Sequence, residues 1–219
     1  HAPGGPLDSR VDLVQEAIRL GRLLVELMPD EPECLGLLAL MLATHARSDA
    51  RLDPAGNLVL LPDQDRSRWD HAAIAEAARS VDRVLRRGAA GPYQIQAAIA
   101  SLHGLADSDA ATDWKQIVDL YRRLEQIAPS PVVRVNRAVA EAKVFGPAAG
   151  LTLLDEVEGV ERWHLYWSTM AALHRRAGQV DSAVREYRAA LECEMNTSDR
   201  RFIEEQLTLL ADGSADVAG

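Results

Sequence analysis

Residues 117–129 read Ile-Val-Asp-Leu-Tyr-Arg-Arg-Leu-Glu-Gln-Ile-Ala-Pro, and four positions in that run recur along the chain. Ile117, Tyr121, Leu124 and Pro129 give the order small or apolar, bulky, small or apolar, then proline. Gly150, Leu154 and Val157 repeat the first three offsets, and so do Ala183, Tyr187 and Ala190. From Ile117 to Gly150 and from Gly150 to Ala183 is 33 residues each time. Ala17, Gly21, Leu24 and Pro29 give all four offsets near the N-terminus. One match at i, i+4, i+7 arises in any amphipathic helix. Four matches, with a fixed period and proline twice at the same offset, argue for helical hairpins stacked on one another.

These offsets are those of the second helix of a tetratricopeptide repeat, whose period is about 34 residues. Gly178 falls where that repeat turns between its two helices. The expected fold is all-α: a tetratricopeptide-like right-handed superhelix of about ten antiparallel helices. Punctuation agrees. Asp8 or Ser9 caps a helix with apolar face Val11, Val14, Ile18, Leu20, Leu24 and Leu27, stopped by Pro29. Pro32 restarts a second helix, through Ala46. Pro92 opens one to about Leu105, Asp113 caps one ending before Pro129, and Ser130-Pro131 caps the next. Gly146-Pro147 breaks the pattern, and further segments start near Glu161, Gln179 and Thr197. Residues 1–8 read as a linker in a chain that opens without Met, as a fragment or processed product would. Residues 9–212 read as a single helical-repeat domain with hairpins near 91–129, 130–162 and 163–195, and 213–219 as a disordered tail.

Composition sets limits. The 219 residues are 47% hydrophobic and 5% aromatic, a balance that favours helices packed through small side chains. The net charge of -9 lacks the basic stripe that neutralises phosphates, so tight nucleic-acid binding by this chain is not expected. Cys34 and Cys193 lie in helical patterns with no CxxC or Cys/His cluster, which suits a reduced, cytoplasmic setting. No stretch approaches a membrane span.

One segment departs from the helical pattern. Residues 51–61 read as a short β-hairpin around Asp53-Pro54-Ala55-Gly56-Asn57. Directly after it, residues 63–70 read Asp-Gln-Asp-Arg-Ser-Arg-Trp-Asp. A helix start explains part of this run: Asp65 or Ser67 caps, Asp70 sits at the positive end of the helix dipole, and Trp69 anchors the first turn. An interaction surface explains it equally, because Arg and Trp are enriched in interface hot spots and charge pairs fix register. The Asp63-x-Asp65 pair lacks the glycine and terminal bidentate acid of a calcium loop. With no nucleophile elbow, phosphate loop or clustered histidines, neither a catalytic residue, a metal nor a cofactor is expected. Arg134 and Arg137, with Asn136 beside them, could grip a carboxylate or form a solvated face. Arg122-Arg123 and Arg175-Arg176 read as surface charge. Val132, Val135 and Val139 would line the superhelical groove.

The run Asp63 to Asp70 resembles the signature of the C-terminal extension in a group of bacterial extracytoplasmic-function sigma factors, group forty-two. Glu16-Ala17-Ile18-Arg19-Leu20, Gly91 to Ile99, Thr112-Asp113-Trp114, Ser130 to Ala140 and Gly146 to Leu151 fit the same family, so the resemblance spans about Val11 to Leu210. It implies a tetratricopeptide-like domain that controls a sigma core from within the same chain. Its contact surface towards that core or RNA polymerase would be Asp63, Gln64, Asp65, Arg66, Trp69 and Asp70. Both promoter-reading domains of the family are missing here. The expected function is regulation of transcription initiation through protein contacts, without catalysis. The alternative is a free-standing scaffold that binds a peptide or partner helix in its groove.

Overall fold

The structure, a computed structural model, describes residues 7–85 and 90–215, with side chains over 13–83 and 90–212. Among the described residues it is all-helical, with ten α-helices and no strand. In chain order these are α1 (Leu7–Leu27), α2 (Pro32–His45), α3 (His71–Leu85), α4 (Pro92–Leu105) and α5 (Trp114–Ile127). Then come α6 (Pro131–Phe145), α7 (Pro147–Leu154), α8 (His164–Arg176), α9 (Val180–Leu191) and α10 (Thr197–Ala215). Proline opens α2, α4, α6 and α7, where its fixed φ suits the first turn and its missing N–H costs nothing. Before α6 the Ser130 hydroxyl accepts from the Val133 amide at 3.2 Å.

The ends differ from expectation. Leu7 and Asp8, read as linker, already belong to α1, and 213–215, read as tail, still belong to α10; residues 1–6 and 216–219 lie outside the described residues. The chain divides into two compact units. The first combines residues up to Arg51 with Leu61–Asp113; the second combines Leu52–Leu60 with residues from Trp114 onward. The expected hairpin 91–129 is therefore divided, with α4 in the first unit and α5 in the second.

In the first unit α2 packs against α1, α3 and α4. A helix surrounded in this way has no polar face to spare, and α2 buries Cys34, Gly36, Leu38, Ala39, Leu42 and Ala43. At Gly36 a Cβ would stand 2.8 Å from the Gln94 amide nitrogen, so only glycine lets α2 and α4 approach this closely. Glu33 adds a cap across the same contact: its carboxylate accepts from the Tyr93 and Gln94 amides at 3.0 and 3.2 Å, at the start of α4. The expected core face of α1 is corrected. Ile18 is buried and Leu24 half-buried, but Val14, Leu20 and Leu27 are exposed; the Val11 side chain lies outside the described residues.

The second unit carries the recurrence. Helices α5, α7 and α9 begin at 114, 147 and 180, and α6, α8 and α10 at 131, 164 and 197, each 33 residues after the last. Consecutive helices pack together, and α6 also touches α8. Val135, Ala138 and Ala142 of α6 share one core with Leu154 of α7 and with Tyr166, Met170 and Leu173 of α8. Ala171, Tyr187, Ala190 and Ile203 continue it through α8, α9 and α10. Val135 is thus core rather than groove wall, while Val132 stays exposed and Val139 half-buried.

The expected β-hairpin over 51–61 is a single antiparallel bridge, Leu52 to Leu58. Its ladder cannot lengthen, because 3-10 turns at Ser48–Ala50 and Leu61–Asp63 bound it on both sides. The Asp53 carboxylate also takes the Ala55 and Asn57 amides at 2.9 and 2.8 Å, closing a side-chain turn. Asn57 in turn accepts from Arg201 of α10 at 2.8 Å, inside the second unit.

An ion network ties α5 to α6. Glu125 accepts from Arg134 at 2.6 Å and from Arg137 at 2.7 Å. Glu141, with 6% of its side chain exposed, holds Arg122 at 2.9 Å and Arg137 at 3.2 Å. Arg134 and Arg137 therefore face acids of their own hairpin, and Arg122 is more than surface charge. Burial works to raise the Glu125 pKa, but the hydrogen bonds and charges of Arg137 and Arg134 outweigh it and hold it below the ordinary 4.5. A depressed folded pKa gives stability that is present above the unfolded value and lost as pH falls through the folded one. Acid titration of unfolding free energy should therefore show a loss beginning near pH 4.5. Glu125→Gln should cost roughly 1–3 kcal/mol at pH 7 and shrink that acid-dependent loss.

Candidate functional site

The Asp63–Asp70 segment is built from two 3-10 turns, Leu61–Asp63 and Arg66–Arg68, leading into α3. Asp65 caps the second turn: its Oδ1 accepts from the Ser67 amide at 3.0 Å and from the Ser67 hydroxyl at 2.6 Å. Those two bonds hold its carboxyl below the usual carboxylate range, so it is ionised at neutral pH. Asp70 caps α3, accepting from the Ala73 amide at 3.0 Å, while its own amide donates to the Ala46 carbonyl just past α2 at 2.8 Å.

Trp69 is 4% exposed and packs with Ala46, Ala50 and Ile74. The Arg66 guanidinium lies 4.5 Å from the Trp69 ring centroid. Its Nη1 donates to the carbonyls of His103 and Ala106 at 2.7 and 2.8 Å. Those carbonyls end α4, where the helix dipole favours a cation. In this segment, then, Trp69 and Arg66 hold α2, α3 and α4 in register. Asp63, Asp65, Arg68 and Asp70 stay exposed, and Gln64 is half-buried.

A pocket of about 260 Å³ opens beside the turn, lined by Arg66, Ser67, His71, Ile74, Gly104 and Asp107 among others. Among the described residues no group of three His, Cys, Asp or Glu side chains is placed to hold a metal. No described helix is long and apolar enough to cross a membrane.

The sequence offers Asp65 or Ser67 as the cap and places Asp70 at the positive end of the helix dipole, but gives no role to the α4 terminus that Arg66 closes. The signal is faint: an arginine in a short turn, 37 residues before the carbonyl it binds. Glu33 escapes such a reading for the same reason, since the first amide it caps lies 60 residues on.

Residues 1–85 match a family of unknown function, DUF6596. Over 218 residues the chain is 43% identical to uncharacterized protein R00370 of Rhizobium meliloti (strain 1021), a match that covers 99% of this chain and 52% of that protein. The chain spans about half the length of the curated relative it matches. No solved structure matches.

Because Arg66 closes α4 and stacks on Trp69 together, its loss should be felt well beyond the turn. Arg66→Ala should lower the free energy of unfolding by roughly 2–3 kcal/mol in urea titration, the scale of lost charged hydrogen bonds. Arg66→Lys should recover less than half of that, since an ammonium cannot lie flat on the indole while meeting two carbonyls.

Proposed function

We propose that this chain is a regulatory, protein-binding domain of a bacterial extracytoplasmic-function sigma factor, acting on transcription initiation by contact with the sigma core or with RNA polymerase. The observation that carries the reading is the Asp63–Asp70 segment. It resembles the group forty-two signature along its whole length, and its charged side chains stand on a turn made rigid by Trp69 and Arg66. A rigid platform presents charges without an ordering cost on binding, which favours specific contact. In this reading Asp63, Asp65, Arg68 and Asp70 meet the partner, Gln64 borders it, and Arg66 and Trp69 position them. The pocket beside Arg66 receives an anchoring side chain.

The 33-residue recurrence of helix starts supports stacking of the tetratricopeptide kind, with a right-handed superhelix as the finer expectation. The relative R00370 holds about as much chain again outside the matched stretch, room enough for sigma domains in one polypeptide. The domain works in the cytoplasm, without cofactor or catalysis. Its mechanism is a population shift: binding favours one arrangement of the sigma domains, and whatever alters that binding alters promoter engagement.

The test uses the full-length gene product with a promoter reporter. Asp63→Ala with Arg68→Ala removes two exposed charges, so thermal unfolding should stay unchanged while transcription shifts by about threefold to tenfold. Unchanged transcription from a folded variant would reject the site. A full-length product without a helix-turn-helix, or one that never joins core polymerase, would reject the sigma reading and leave the free-standing scaffold.

A further inference from the structure

The pocket beside the Arg66 turn is apolar at its base and acidic at its opening. Ile74 and Ala75 of α3 and Gly104 and Leu105 of α4 line it, together with Asp107 just past α4. Ile74 and Gly104 are buried and form the floor, while Ser67, His71 and Asp107 are exposed and form the mouth. A Cβ at Gly104 would stand 2.9 Å from Ile74 Cγ2, so α3 and α4 meet directly beneath the hollow. Leu105 is 59% exposed although it lines the same hollow. At about 260 Å³ the pocket falls below the roughly 300–1,000 Å³ of small-molecule sites, and it suits a single long side chain instead.

Charge decides which side chain. Asp63, Asp65, Asp70 and Asp107 are exposed, and across residues 61–75 and 104–107 the one exposed Lys or Arg is Arg68. Asp65 and Asp70 cap turns of their own segment. Asp107 does not: among the described residues its carboxylate has no hydrogen bond or ion pair. Arg66 also lines the pocket, but its charge is held by the carbonyls at the negative end of α4. An incoming cation therefore meets a carboxylate without a competitor, and its methylenes can lie on Ile74, Ala75 and Leu105. Lys and Arg combine such a stem with such a head. An acidic side chain would meet like charge at the mouth, and an apolar one would strip water from Asp107 without replacing it.

We propose that this pocket seats one lysine or arginine of the partner protein, its stem on Ile74, Ala75 and Leu105 and its cationic head against the Asp107 carboxylate. The proposal rests on the contact reading above and names the chemistry of the residue that anchors it. The partner surface around that residue is basic, matching the exposed acids of the 63–70 turn, and Arg68 excludes a second cation on its own side of the mouth.

Charge reversal in the full-length gene product tests it. Asp107→Lys should shift reporter transcription by at least about fivefold and Asp107→Glu by less than about twofold, with thermal unfolding unchanged in both. Photo-crosslinking with Leu105 replaced by p-benzoylphenylalanine then locates the facing segment on the sigma core or polymerase. Replacing the Lys or Arg of that segment by Glu should bring the Asp107→Lys variant back to within about twofold of wild type. An Asp107→Lys variant without effect, no crosslink, a facing segment that lacks Lys and Arg, or a charge swap that restores nothing would overturn the proposal. The contact reading fails separately. It falls if Asp63→Ala with Arg68→Ala leaves transcription unchanged, and it stands if that pair acts while Asp107→Lys does not.

Discussion

The carbonyls that end α4 are satisfied by a guanidinium that comes from outside the helix, and the arrangement of the first unit follows from that contact. Arg66 reaches two of them while its flat face rests on Trp69, and Trp69 fills the space between the end of α2 and the start of α3. Helix C-termini leave their last carbonyls without partners, so an end that packs against neighbours needs a donor. One side chain supplies it, and in doing so it fixes where three helices meet. The same turn carries Asp65 and Asp70 as caps, leaving a charged rim on the surface. Buried supporting residues and exposed charged ones thus alternate within one short segment.

The second unit reaches its order differently, by repetition. A small or fully buried residue at the same place in α5, α7 and α9 lets each approach its neighbours closely, and the helix starts keep step every 33 residues. Each hairpin alone would expose one apolar side, so stability comes from neighbours. Salt links such as Glu125–Arg137 set the fit of α5 on α6 rather than supplying its driving force.

Much of this order is legible in the amino-acid sequence. Pro32, Pro92, Pro131 and Pro147 announce helix starts because proline is at ease only in a first turn, and the period announces the hairpins. What the sequence hides depends on packing partners. Leu20 and Leu27 look like core residues on any helical wheel, yet among the described residues no helix covers their side of α1. Val135 looks like groove wall until α7 and α8 close over it. The segment 51–61 has strand-like composition, yet Asp53 takes its amides into a side-chain turn and 3-10 turns bound it. Arg134 and Arg137 look free to grip a ligand because Glu125 reaches them only after α5 folds onto α6. In the 63–70 run, residue types point to a site, but only packing separates Trp69, which supports, from Asp63 and Arg68, which project.

The claim that one turn organises the first unit is tested most directly by native-state hydrogen exchange on a Trp69→Ala variant. Removing a buried indole should cost about 3–5 kcal/mol. Amides of α2, α3 and α4 should then exchange faster together, as one cooperative unit. Faster exchange confined to residues 66–70, with α2 and α4 as protected as before, would contradict it.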